Sequence, residues 1–289
     1  MTNVTTHTLD VPGATLTYDV RGALPATDGQ LPLLLIGQPM DASGFGTLAS
    51  LLPDRTVVTY DPRGLGRSTR SDGEVTNTPQ QQADDLHRLI AELGGTVDLF
   101  GSSGGAVTGL HLVATHPEDV RTFVAHEPPL LDVLPDAEQA FAAEKRVQDV
   151  YHQRGWGAGM AAFIALTSVQ GPFTDDFGRE LPDPSTFGLP TVDDGSRVDP
   201  LLSGASNAVT AYRPDVTALT GASTRVVVAG GVESQDTLTW RTSGALADAL
   251  GQPLTVFPSN HGGFMGGEFG QAGQPEAFAE RLREVLGGV

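Results

Sequence analysis

Thr96-Val97-Asp98-Leu99-Phe100-Gly101-Ser102-Ser103-Gly104-Gly105-Ala106-Val107, running on as TGLHLVATH to residue 116, joins a short apolar run to a helical one through a glycine-rich turn. VDLF has the length and the lack of alternation of a strand buried on both faces. AVTGLHLVATH repeats apolar residues at three- and four-residue spacings, the period of a helix. The turn between them, Gly101 to Gly105, fits G-x-S-x-G, a weak signal by itself in a chain with 36 glycines. Its setting gives it weight. On a sharp, strained strand-to-helix turn a serine hydroxyl is presented to solvent, and neighbours without β-carbons let helix and strand approach. Helix N–H groups and the helix dipole also favour negative charge developing there. Ser103 is therefore the candidate nucleophile.

Working outward, the same alternation recurs. LPLLLIG (31–37), TVVTYD (56–61), VRTFVAHE (120–127), TRVVVAG (224–230) and PLTVFP (253–258) read as further buried strands. Helical spacings occupy 45–52, 79–93, 237–250 and 275–286, and HTLDV with ATLTYDV around Pro12 and Gly13 reads as a terminal pair of strands. Strand and helix in alternation predict an α/β fold with a mostly parallel, doubly wound sheet. From 128 to 222 the strand pattern stops: helical periodicity covers 136–168, and a Pro-, Gly- and Asp-rich stretch covers 171–200. The expected organisation is one domain, a core of residues 1–127 and 223–289, with 128–222 inserted as a helical cap over the carboxyl edge of the sheet, where open α/β sheets bind ligands.

Composition narrows the chemistry. The chain has no cysteine, which removes thiolate metal sites and cysteine nucleophiles. A net charge of −18 repels nucleic acid and anionic membrane surfaces alike. With neither a leader pattern at the amino end nor an apolar run of membrane-spanning length, the reading is a soluble cytoplasmic protein. Histidine and carboxylate residues show no metal-ligand spacing in the sequence, Asp-rich DDFGRELPD and DDGSRVD lack a calcium-loop ladder, and neither metal nor cofactor is expected. Arg63 and Arg67 could suggest an anion site but are read as structural.

A serine needs a base to take its proton. Of seven histidines, His7, His87 and His152 fall in a terminal strand, a helix and the insertion, and His111 and His116 are carried away along the helix after Ser103. His126 lies near the sheet edge. His261, in the loop S-N-H-G-G-F after the last strand, can reach across from the carboxyl edge and is the candidate base.

The series IGQPMDASGF, VVTYDPRGLGRST, FGSSGGAVTGLHL, HPEDVRTFVAHEPP and FPSNHGGF resembles the α/β-hydrolase superfamily over nearly the whole chain outside the insertion. Within it, the S-S-G after a glycine and His-Glu-Pro-Pro are similar to zearalenone lactonases and related small ester and lactone hydrolases. The resemblance implies an acyl-enzyme mechanism on a carboxylic ester or lactone. It implies an oxyanion hole from the backbone N–H of Gly104 and one in the loop Gly37-Gln38-Pro39-Met40; Pro39 has no N–H, leaving Gln38. Relatives often read H-G-x or G-G-P-G there, and the Gln38 side chain could reach into the pocket. For the triad acid, Glu233 occupies the superfamily's commonest position and Asp236 is a third option. The His-Glu-Pro-Pro context and the 24-residue spacing from Ser103 favour Glu127.

The substrate is expected to be a medium-sized apolar ester or lactone, with Trp156, Met160, Phe163, Phe173, Phe177 and Tyr212 as candidate pocket residues. Carbon–carbon bond hydrolysis or perhydrolysis on the same triad is an alternative, and a ligand sensor on a hydrolase scaffold is an alternative of another class. Oligomeric state has no signature in the sequence.

Overall fold

Apolar runs without alternation arise when both faces of a strand are covered, and β-strand packing here does that. In the computed structural model, which describes residues 4–26 and 30–288, the strands are β1 (Val4–Val11), β2 (Ala14–Arg21), β3 (Leu33–Ile36), β4 (Val57–Asp61), β5 (Thr69–Arg70), β6 (Val97–Ser102), β7 (Val120–His126), β8 (Arg225–Gly231) and β9 (Thr255–Phe257). They form one sheet in the order β1-β2-β4-β3-β6-β7-β8-β9, with β5 alongside β2. Pairs involving β2 are antiparallel and the remaining pairs are parallel. The reading of residues 1–3 as part of the core lies outside the described residues.

The helices are α1 (Gly46–Ser50), α2 (Pro79–Glu92), α3 (Gly104–Thr115), α4 (Ala137–Arg154), α5 (Trp156–Thr167), α6 (Asn207–Thr210), α7 (Val216–Gly221), α8 (Leu238–Ala249) and α9 (Pro275–Gly287). Leu34 and Ile36 of β3 pack with residues of α2, α3 and α8, whereas Leu33 and Leu35 pack with residues of α1 and α9. Successive residues thus face opposite layers, and each fully buried Leu or Phe side chain contributes roughly 1.5–3 kcal/mol relative to exposure. This is an α/β-hydrolase fold, a mostly parallel sheet between two layers of helices.

Local chemistry holds the layers in register. Thr78 caps α2 by accepting from the Gln81 N–H at 3.2 Å, with Pro79 in the first turn. Arg63 forks onto Asp85 of α2 through Nε at 2.7 Å and Nη2 at 2.5 Å, both side chains being buried. Asp61 accepts from the Ala42 N–H at 2.9 Å and from Arg67 Nε at 2.7 Å. Both arginines of that loop are therefore engaged by internal carboxylates, as structural residues are.

Between β7 and β8 the described residues form α4 to α7 and no strand. The helical periodicity over 136–168 belongs to two helices, separated at Gly155, whose φ of 86° favours glycine. Residues of α4 and α5 share an apolar cluster of their own with Leu131, Leu134, Leu202 and Leu238. The last strand is shorter than its apolar run, Thr255–Phe257 within 253–258.

Candidate active site

Parallel pairing sets the geometry. Ser102 of β6 is opposite His126 of β7, and His126 is opposite Ala229 of β8. The residues that follow, Ser103 and Glu127, therefore leave the same sheet edge side by side. The Ser103 N–H donates to the His126 carbonyl at 2.9 Å, and the Glu127 N–H donates to the Ala229 carbonyl at 3.0 Å. Both residues have positive φ, 57° at Ser103 and 51° at Glu127. A side chain in that region costs on the order of 1–3 kcal/mol and persists only where the surroundings enforce it.

The glycines beside Ser103 are required by close approach. A β-carbon on Gly104 would sit 2.8 Å from the Gln38 carbonyl oxygen, and one on Gly105 only 2.4 Å from that of Ile36. The turn is thus pressed against the end of β3, which brings Gln38 next to Gly104. Helix α3 begins at Gly104, so its N–H is among the first-turn donors that have no acceptor within the helix.

Glu127 is fully buried and accepts three hydrogen bonds. Its Oε1 accepts from the Gly231 N–H at 2.8 Å, and its Oε2 accepts from the Thr239 hydroxyl at 2.6 Å and from His261 Nδ1 at 2.7 Å. Burial pushes its carboxyl up, but the hydrogen bond and charge of His261, together with Thr239, outweigh this and hold it well below the usual carboxylate range. An ionised carboxylate only accepts, so Nδ1 of His261 carries the proton and Nε2 is left as the ring's basic nitrogen. The His261 side chain is 43% exposed, so that edge can meet a ligand.

Glu233, the competing acid, does not reach His261; its carboxylate accepts from Ser259 at 3.2 Å and Gln274 at 2.9 Å. Asp236 is exposed, and its carbonyl accepts from the Gly171 N–H at 2.8 Å. His126 is buried among Phe100, Phe257, Phe264 and Phe278, and burial pushes its imidazole down to about 4, keeping it neutral.

Ser103, His261, Gly104 and Gln38 line one cavity of about 430 Å³. Most of its other walls come from the segment between β7 and β8, with Leu131, Phe163, Leu166 and Leu201 as apolar contributors, and the stretches after β8 and β9 add Glu233, Leu238, Thr239 and Asn260. Of the six aromatic and methionine residues proposed for the pocket, Phe163 alone lines it. Trp156, Met160, Phe173 and Phe177 pack within the α4–α5 cluster, where Trp156 Nε1 also donates to Asp199 at 2.9 Å; Tyr212 packs against the main core and pairs with His111 at 3.1 Å. Gln38 is 3% exposed, and neither amide atom has a partner among the described residues. Thr239 and Glu144 were missed. Thr239 is distant in sequence from every motif, whereas Glu144 carried a signal: it lies four residues after Ala140 and three before Val147, on the buried stripe of α4.

A metal-ligand cluster absent from the sequence spacing is created by the fold. His87, His116 and Asp119 come together at the far end of α3 from Ser103. His87 Nδ1 is 2.7 Å from Asp119, and the two imidazoles stack at 3.9 Å and 15°. Nearly parallel rings do not aim their lone pairs at one point, so this arrangement is not a formed metal site.

The chain belongs to the alpha/beta hydrolase family, whose pattern residues 33–281 match. It is 31% identical over 281 residues to the uncharacterized hydrolase YraK of Bacillus subtilis (strain 168), covering 96% of this chain and 95% of that one. Among solved structures, it is similar to a thermophilic esterase from Thermogutta terrifontis, with a TM-score of 0.62, 22% identity and coverage of 99% and 98% of the two chains. It is similar also to the enol-lactonase from Burkholderia xenovorans LB400, with a TM-score of 0.63, 18% identity and coverage of 97% and 100%. At these identities the two structures speak for the fold. Among the described residues no helix is long and apolar enough to cross a membrane.

Proposed function

We propose that this hydrolase cleaves a small carboxylic ester or lactone through an acyl-enzyme, with Ser103 as nucleophile, His261 as general base and Glu127 as the carboxylate that orients the imidazole. The observation that carries the reading is the 2.7 Å hydrogen bond between His261 Nδ1 and Glu127 Oε2, on a histidine that shares a cavity with the strained Ser103.

In this mechanism Ser103 Oγ attacks the carbonyl carbon as His261 Nε2 takes its proton. Negative charge collects on the former carbonyl oxygen, for which the N–H groups of Gly104 and Gln38 are the proposed donors. The intermediate collapses with cleavage of the C–O bond, and the His261 proton passes to the leaving oxygen. An ester releases its alcohol; a lactone keeps it tethered to the acyl chain. Water, deprotonated by His261, then attacks the acyl carbon, releasing the carboxylic acid and restoring Ser103. Residues 128–222 act as the cap that shapes the substrate cavity.

The test is a screen of the purified protein over p-nitrophenyl esters of graded chain length and aryl and aliphatic lactones. Turnover of at least one class, abolished by a fluorophosphonate inhibitor, is expected. Binding of these compounds without turnover would favour a ligand sensor instead.

A further inference from the structure

The cavity holds a carboxylate that the proposed mechanism does not use. Glu144 reaches it from α4, on the same helical face as Ala140 and Val147, which also line it. Burial pushes its carboxyl up to about 7, opposed only by a hydrogen bond from Thr210. Its neighbours do not neutralise it: Lys145 pairs with Asp149 at 2.8 Å, and Arg146 turns to the Gly178 carbonyl at 3.4 Å. Among the described residues, no Lys or Arg lines the cavity, and its ionisable walls are Glu144, Glu233 and His261. Glu233 already accepts from Ser259 and Gln274. An ionised carboxylate has about four acceptor positions, so Glu144 with one donor has most of its capacity open.

The amides of Gln148 and Asn207, which also line the cavity, do not compete. Gln148 and Asn207 pair with each other, Gln148 Nε2 donating to Asn207 Oδ1 at 2.6 Å. A carboxyl placed on the apolar stripe of a helix is costly to ionise unless a partner restores the charge. Among the described residues, no cation supplies that partner. An ammonium group on a ligand would, and the apolar wall of Leu131, Phe163, Leu166 and Leu201 would hold the chain that carries it.

We propose that Glu144 is a specificity-determining residue that pairs with a basic amine on the substrate, so that the preferred substrates are amine-bearing esters or lactones. The inference rests on the hydrolase reading of the same cavity. A carboxylate-bearing substrate meets two glutamates and no cation, and is rejected.

The experiment has two arms, so that failure of the inference and failure of the hydrolase reading separate. In the first, p-nitrophenyl esters of six- to ten-carbon acyl chains ending in ammonium, hydroxyl, carboxylate or methyl are compared on the wild type and Glu144→Gln. The ammonium series is expected to exceed the methyl series by about tenfold or more in kcat/KM at its best length, with the carboxylate series lowest. Glu144→Gln should abolish that preference through KM. In the second arm, octylammonium, octanol and octanoate are titrated calorimetrically into both proteins, which reads the site whether or not esters are turned over. Octylammonium should bind the wild type about tenfold more tightly than octanol, with the difference lost in Glu144→Gln. Equal treatment of ammonium and its hydroxyl or methyl counterparts in both arms, or a preference that survives Glu144→Gln with the fold intact, overturns the inference. If no ester is cleaved while octylammonium still binds through Glu144, the hydrolase reading fails and the amine site stands.

Discussion

His261 Nδ1 lies 2.7 Å from Glu127 Oε2, although the two residues are separated by 134 positions and by the whole helical insertion. The pairing follows from strand order: Glu127 ends β7, His261 follows β9, and β8 between them contributes the Gly231 N–H that holds the other carboxylate oxygen at 2.8 Å. Removing the charge with Glu127→Gln takes away both the imidazole's orientation and the stabilisation of its cationic form. A fall of roughly 10³ to 10⁴ in kcat is expected. Glu233→Gln, at a carboxylate that accepts from Ser259 and Gln274, should change kcat by less than tenfold. Steady-state kinetics of both variants decide this, and a loss concentrated in Glu233→Gln returns the acid to the loop after β8.

Glu127 also predicts a pH dependence of stability. Its carboxyl titrates below its unfolded value, so the stabilisation is complete above about pH 5 and is lost as the pH falls through the ordinary carboxylate range toward the folded value. The unfolded state binds the proton first. Wild type should therefore be more stable than Glu127→Gln at neutral pH, with the gap in Tm closing as the pH is lowered below about 4. A gap that stays constant from pH 8 to pH 3 would show that Glu127 does not act as a stabilised carboxylate.

The insertion separates two residues that look alike in sequence. Phe163 lines the cavity, whereas Trp156 packs in the α4–α5 cluster and donates to Asp199. Phe163→Ala should shift preference among acyl chain lengths several-fold while changing kcat on the best substrate little. Trp156→Phe should leave preference alone and cost about 1 kcal/mol from the lost hydrogen bond, a drop in Tm of about 2–4 °C. Parallel changes in all substrates for Phe163→Ala would mark it as structural instead.

What the sequence could and could not reveal divides along one physical line. Strands such as LLLI and VDLF were legible because burial on both faces removes polar residues, and Ser103 and His261 could be named as candidates because each follows such a strand in a glycine-marked turn. The choice between Glu127 and Glu233 depends on which side chain turns inward at the sheet edge, and the positive φ that turns Glu127 is imposed by tertiary contacts. The split at Gly155 and the inward fate of Trp156, Met160, Phe173 and Phe177 were hidden for a related reason. An apolar helical face can pack on a neighbouring helix as well as line a cavity, and periodicity is the same in both cases. The His87, His116 and Asp119 cluster likewise escapes a reading by spacing, because His87 comes from α2 while His116 and Asp119 lie three residues apart after α3.

Which serine forms the covalent intermediate is the most direct test of the account, since Ser102 and Ser103 are adjacent and only Ser103 lines the cavity. The measurement is peptide mass spectrometry of the protein after reaction with a fluorophosphonate probe, on wild type and on Ser103→Ala. One phosphonyl adduct on Ser103 is predicted, absent from Ser103→Ala, with ester turnover in that variant reduced by about 10⁴ or more and Tm changed only slightly. An adduct on Ser102 or elsewhere, or turnover that survives Ser103→Ala, would contradict it.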